Sequence, residues 1–150
     1  MKKIFLLMFF IFFVLLMVIF SENLILKSSK PTAVIRNQVF NIEIAKTQKA
    51  KETGLAKYNS IPQNFGMLFP FGKEGYNAFW MKNMKFPIDI IFIKNGKIIK
   101  IYKDVPPPQT PDSQLPIYKP GDVSDTVLEI NSGLSDKYGF ENGDSVKIGL

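Results

Sequence analysis

Asp89 is the residue of this chain whose type and setting most suggest chemistry, because the usual agents are missing. The sequence contains no His and no Cys. That excludes the commonest general base, the imidazole ligand, the thiol nucleophile and every thiolate metal site. Carboxylate, lysine, tyrosine, hydroxyl and backbone groups remain. Asp89 lies within Ile88-Asp89-Ile90-Ile91-Phe92-Ile93, where strand propensity disfavours an acid and something must compensate it. One reading is structural, a carboxylate bonded to Tyr102, Lys100 or the backbone N–H groups of the 80–86 loop. The other is a polar anchor in a shallow pocket walled by Trp80, Tyr102 and Ile91. An enzyme would need a second group within proton-transfer reach, with Glu129, Asp104 and Lys82 as candidates.

Trp80-Met81-Lys82-Asn83 is the second cluster. It reads either as a core tryptophan with Lys82 reaching outward, or as an aromatic platform with Lys82 and Asn83 as donors for a sugar or peptide. Asp112, Asp122 and Asp125 could supply oxygen to calcium, but their spacing matches no regular ligand loop. No metal or cofactor is therefore expected. Pro108 to Pro111 matches PxxP, within a Pro-rich stretch long enough to form a lid or arm.

The elements that must position these residues follow from local signals. Asn95-Gly96 between two β-branched runs predicts a hairpin with a type I′ turn. A regular ladder from that turn sets Phe92 opposite Ile99 and Asp89 opposite Tyr102, with Lys100 on the diagonal. Phe40, Ile42 and Ile44 alternate with polar residues as a half-buried strand. Thr47 caps a short helix that Gly54 ends. Further strands are expected at 78–81, 126–130 and 144–148, and a short helix at 132–138. The predicted fold is mainly β, a sandwich or barrel-like sheet with one or two short helices, behind an N-terminal transmembrane helix.

Ile4 to Phe20 is a run of seventeen apolar residues, about 25 Å of helix, slightly short of a ~30 Å hydrocarbon core. No small-residue cleavage site follows, so residues 1–26 read as an uncleaved anchor in preference to a signal peptide. The expected organisation is the anchor, a polar linker over 27–37 and a domain over 38–150. Lys2 and Lys3 place the N-terminus in the cytoplasm and the domain outside the cell membrane, or secreted if the segment is cleaved. The net charge of +6 rests on dispersed lysines with Arg36 the sole arginine. That argues against nucleic acid and for a solvated basic surface that attracts anionic envelope polymers.

Several segments together resemble the domain of unknown function 192 family. They are Gly54-Leu55, Gly66-Met67-Leu68-Phe69, Phe79-Trp80-Met81-Lys82-Asn83, Pro87-Ile88-Asp89, Val105-Pro106-Pro107, Tyr118, Val127 to Asn131 and Gly139 to Val146. The resemblance spans about Val39 to Ile148. It implies a compact, mainly-β domain, often exported, and no established activity to borrow. It points to Trp80, Lys82, Asn83 and Asp89; Tyr102 joins them from the hairpin register as a ligand-binding candidate. Family members often carry two cysteines after Pro-Pro, and the stretch Pro108 to Leu115 has none. The expectation for function is a membrane-anchored module that binds an envelope glycan, peptide or membrane protein. An Asp89-dependent hydrolase and a purely structural accessory domain are the rivals.

Overall fold

A computed structural model describes residues 2–25, 30–109 and 111–150. Helix α1 spans Lys2–Ile25. Strands β1 (Thr32–Ile35) and β2 (Gln38–Ile44) form a hairpin, and helix α2 (Gln48–Thr53) leads through a 3-10 turn (Gly54–Lys57) into β3 (Phe65–Gly75). Then come β4 (Ile88–Lys94), β5 (Lys97–Val105), β6 (Ser124–Asn131), helix α3 (Leu134–Lys137) and β7 (Val146–Gly149).

The strands form one sheet in the order β5-β4-β6-β3-β2-β1-β7, antiparallel except for β2 beside β3. The sheet curls into a half-barrel whose ends meet. Ile98 N–H donates to the Asp144 carbonyl, Gly143 N–H to Ile98 and Val146 N–H to Gly96. The concave face holds one core, to which every strand contributes, including Ile35, Phe40, Leu68, Ile91, Ile98, Leu128 and Val146. The convex face of β3, β4 and β6 carries a second core under α2, the 3-10 turn and the loops, with Leu55, Met67, Phe69, Met81, Ile90, Phe92 and Val127. Strands buried on both faces read as unbroken apolar runs, and the run Ile90 to Ile93 does so for that reason.

The Thr47 Oγ1 accepts from Ala50 N–H as the expected helix cap, and Gly54 ends the helix at a φ of 52°. Asn95 and Gly96 both have positive φ, as a type I′ turn requires. Beyond Ile93 opposite Ile98 the register departs from expectation. A bulge places Phe92 opposite Lys100 and Ile90 opposite Tyr102, and a second shift puts Ile88 opposite Val105. Asp89 therefore does not face Tyr102. Residues 78–81 do not form a strand; Phe79 makes a single bridge to Tyr118. The linker expected over 27–37 gives way to β1, because Ala33 and Ile35 are apolar at alternate positions and fill the concave core. Residues 27–29 of that linker lie outside the described residues, as do Leu26 of the expected anchor and Thr110 of the PxxP match.

From Ile4 to Val18, α1 exposes every side chain, by 46 to 77%. Among the described residues no helix is long and apolar enough to cross a membrane. The transmembrane helix expected from the sequence thus gains no support from the described residues.

Candidate functional site

The residues singled out in the sequence divide among three places. Asp89 is fully buried on the concave side. Its Oδ1 accepts from Asp104 N–H at 2.9 Å and Gly133 N–H at 3.1 Å, and its Oδ2 from Ser135 N–H at 2.8 Å. The donors come from β5 and the start of α3, not from the 80–86 loop, so Asp89 ties three segments together. Asp104, whose own φ is positive, accepts from the Ser132 hydroxyl. Tyr102 is elsewhere again. It stacks edge-on against Phe92 and Tyr118, and its hydroxyl donates to the Lys119 carbonyl at 2.8 Å.

Trp80, Lys82 and Asn83 lie together on the convex side. Met84 N–H donates to the Met81 carbonyl at 3.0 Å, closing a turn in which Asn83 takes a φ of 59°; Asn is among the few residues that tolerate that region. Met81 and Met84 plug into the convex core while the tip of the turn points outward. Phe79 anchors the approach, meeting the rings of Phe69, Phe71 and Phe92 edge to face at 5.0, 6.2 and 5.8 Å. Such pairs contribute about 0.5–1.5 kcal/mol each beyond burial. Trp80 is left 46% exposed, so it is not the core tryptophan of the first alternative. Lys82 lies 5.6 Å from its ring and pairs with Asp112 of the Pro-rich arm at 2.7 Å.

Trp80 and Lys82 form the rim shared by two lobes of one cleft. The inner lobe, about 200 Å³, is walled by α2, Leu55, Phe71, Phe79 and Met84, with Glu129 at its floor. The outer lobe, about 490 Å³, adds Ala56, Lys57 and Asn83. Glu52 and Thr53 border both. Lys51 stands over the Phe71 ring at 4.5 Å and has no ion-pair partner among the described residues. Lys57 is held by Glu43, which also accepts from the Tyr58 hydroxyl at 2.6 Å. That pairing lowers the Glu43 carboxyl and raises Lys57, while the bond to Glu43 raises Tyr58.

Glu129 is the residue whose place in this site the sequence did not reveal. It sits on β6 opposite Ile90 of β4 and Met67 of β3, on the convex face. Asp89 pairs with Ile130, so the two carboxylates project from opposite faces and cannot share a proton. Glu129 is 5% exposed; the Leu55 N–H is its backbone partner and Oε2 has none among the described residues. Desolvation pushes its pKa up to about 8, against the Leu55 bond that lowers it. The site therefore presents a neutral carboxylic acid beneath an exposed indole and two ammonium groups. The signal was available: Glu129 interrupts the apolar strand Val127 to Ile130 as Asp89 interrupts its own.

Asp112, Asp122 and Asp125 do not converge. Asp112 pairs with Lys82 and Asp122 with Lys94, while Asp125 accepts from Asn95 N–H. Among the described residues no group of three or more acidic side chains is placed to hold a metal ion.

Comparison with known proteins places this geometry in a family. No curated protein matches. A solved protein of unknown function from Novosphingobium aromaticivorans DSM 12444 is similar, with 26% identity, a TM-score of 0.70, and coverage of 77% of this chain and 83% of that one. A proposed transcription regulator from Sinorhizobium meliloti 1021 is similar at 27% identity and a TM-score of 0.71, covering 79% and 93%. The family model DUF192, an uncharacterized ACR, matches residues 31–148, the span of the barrel from β1 to β7. The chain belongs to the DUF192 family.

Proposed function

We propose that the domain is a binding module of the cell envelope, held at the membrane through residues 4–20 with the N-terminus cytoplasmic and the barrel outside, and that its ligand is a glycan chain seated in the Trp80 cleft. The observation that carries this reading is Trp80 itself, half exposed at the junction of the two lobes with Lys82 and Asn83 beside it. Leaving nearly half of an indole in water forgoes about 1.5–3 kcal/mol of transfer energy, a cost that a flat apolar platform for a sugar ring explains. The cleft is lined by α2, the 3-10 turn and the 78–84 loop, with Phe71 of β3 in its wall and Glu129 of β6 at its floor. The membrane part is supported by the apolar run Ile4 to Phe20 and by the exposure of Ile4 to Val18.

The regulator name carried by one similar structure does not transfer to nucleic acid here. Arg36 is engaged by Asp144 at 2.8 Å and Glu141 at 3.6 Å, and the lysines are dispersed along the sequence. Asp89-dependent hydrolysis finds no favouring observation, since both Asp89 oxygens are occupied and buried.

The test uses the full chain in detergent. Trp80 is the sole tryptophan, so its fluorescence reports the cleft alone. Soluble envelope glycan fragments should shift the emission of the wild type, and Trp80→Ala should lose binding by isothermal calorimetry without losing fold. Unchanged emission and no heat with any glycan fraction would remove the reading. Carbonate extraction of membranes, with protease access from outside, tests the anchor separately.

A further inference from the structure

Trp80 and the lysines account for the rim of the cleft but not for its floor. An apolar residue at position 129 would suit Met67 and Ile90 better than an acid does. Glu129 has instead one backbone donor and an orphaned Oε2, and burial keeps it protonated at neutral pH. With the Leu55 N–H accepted, the proton belongs on the partnerless oxygen. The floor is then one O–H donor ringed by Leu55, Phe71, Phe79 and Met84.

Resting on the glycan reading above, we propose that the inner lobe is a subsite for the N-acyl group of one uncharged amino-sugar residue, whose carbonyl accepts from Glu129 while its alkyl tail packs against the apolar walls and the ring lies along Trp80. The alternatives fit less well. An ammonium would pass Lys51 and Lys82 and would have to ionise the floor. A carboxylate or phosphate would carry a full charge to a single neutral donor, and buried charge needs more pairing than that. A bare hydroxyl satisfies the donor but sets polar surface against apolar walls. A short amide satisfies both, and about 200 Å³ takes such a group with part of its ring.

Trp80 fluorescence of the full chain in detergent would be titrated with chitotriose, with cellotriose (hydroxyls in place of the acetamido groups), and with an acetylated glutamine peptide. Wild type, Glu129→Gln and Glu129→Leu are compared at about pH 6.5 and about pH 9.5, either side of the Glu129 titration. The wild type should bind chitotriose at least about tenfold more tightly than cellotriose, since a site built to bond a group rejects its absence. Glu129→Gln keeps a donor and should stay within about threefold, whereas Glu129→Leu should fall to the cellotriose level. Raising the pH should weaken the wild type and leave Glu129→Gln unchanged. If Glu129→Leu does not fold, this pH comparison decides alone, and equal pH responses in wild type and Glu129→Gln overturn the subsite. Equal affinity for both sugars, insensitive to Glu129, also overturns the subsite while leaving the glycan reading standing. Binding of the peptide alone, or of no probe, overturns both.

Discussion

Glu129→Gln should stabilise the protein in a manner that depends on pH. The unfolded carboxyl titrates at 4.5 and the folded one at about 8. The folded chain therefore binds this proton more tightly than the unfolded chain does. Its contribution to stability is whole below pH 4.5, falls by about 1.4 kcal/mol for each unit above that, and levels off above pH 8. Across the window the loss is on the order of 5 kcal/mol, and about 3 kcal/mol is gone by pH 7. Glutamine keeps the shape and has no proton to lose. The variant should match the wild type near pH 4 and exceed it by up to about 3 kcal/mol at pH 7, with relaxation around the site reducing the gain. Urea unfolding of the full chain in detergent, followed by Trp80 emission between pH 4 and 9, measures this. A difference that does not change with pH, or a Gln variant less stable than wild type at pH 8, would mean that Glu129 is ionised in the fold. The neutral-donor argument would then fail.

Asp89→Asn should destabilise the fold by about 3 kcal/mol, because its amide nitrogen would meet backbone N–H groups that now donate to a carboxylate; a change below about 1 kcal/mol in urea unfolding would refute that role. Gly66→Ala should cost about 2–4 kcal/mol, because an added Cβ would stand 2.7 Å from the Glu129 carbonyl oxygen across the β3–β6 ladder; an unshifted thermal midpoint would contradict it. The Lys82–Asp112 pair is 39% and 62% exposed, so a double-mutant cycle should give a coupling of about 0–1 kcal/mol. A coupling above about 2 kcal/mol would show that this pair fastens the Pro-rich arm over the cleft.

What could be read in the sequence was local. Thr47 and Gly54 bound α2 as their chemistry dictates, and Asn95-Gly96 sets the hairpin turn. The register failed three residues later for a physical reason. Between Ile88 and Ile93 the strand is apolar at every position but Asp89, and the partner offers Ile98, Ile99 and Ile101. A strand buried on both faces has no polar side to misplace, so a bulge that inserts one residue carries no signature in its pattern. The same two-sided burial concealed the site. Alternation could not say that Asp89 faces the concave core and Glu129 the convex one, because each sits among isoleucines and leucines in either register. Only the pairing of Asp89 with Ile130, and of Glu129 with Ile90, separates them. One acid then becomes a bridge between backbone segments, and the other the floor of a cleft. Their difference in role arises from how many N–H groups reach them: three for Asp89, one for Glu129. A buried carboxyl with three donors is spent in holding a fold together; one with a single donor, its pKa pushed up by burial, has a bond left to give.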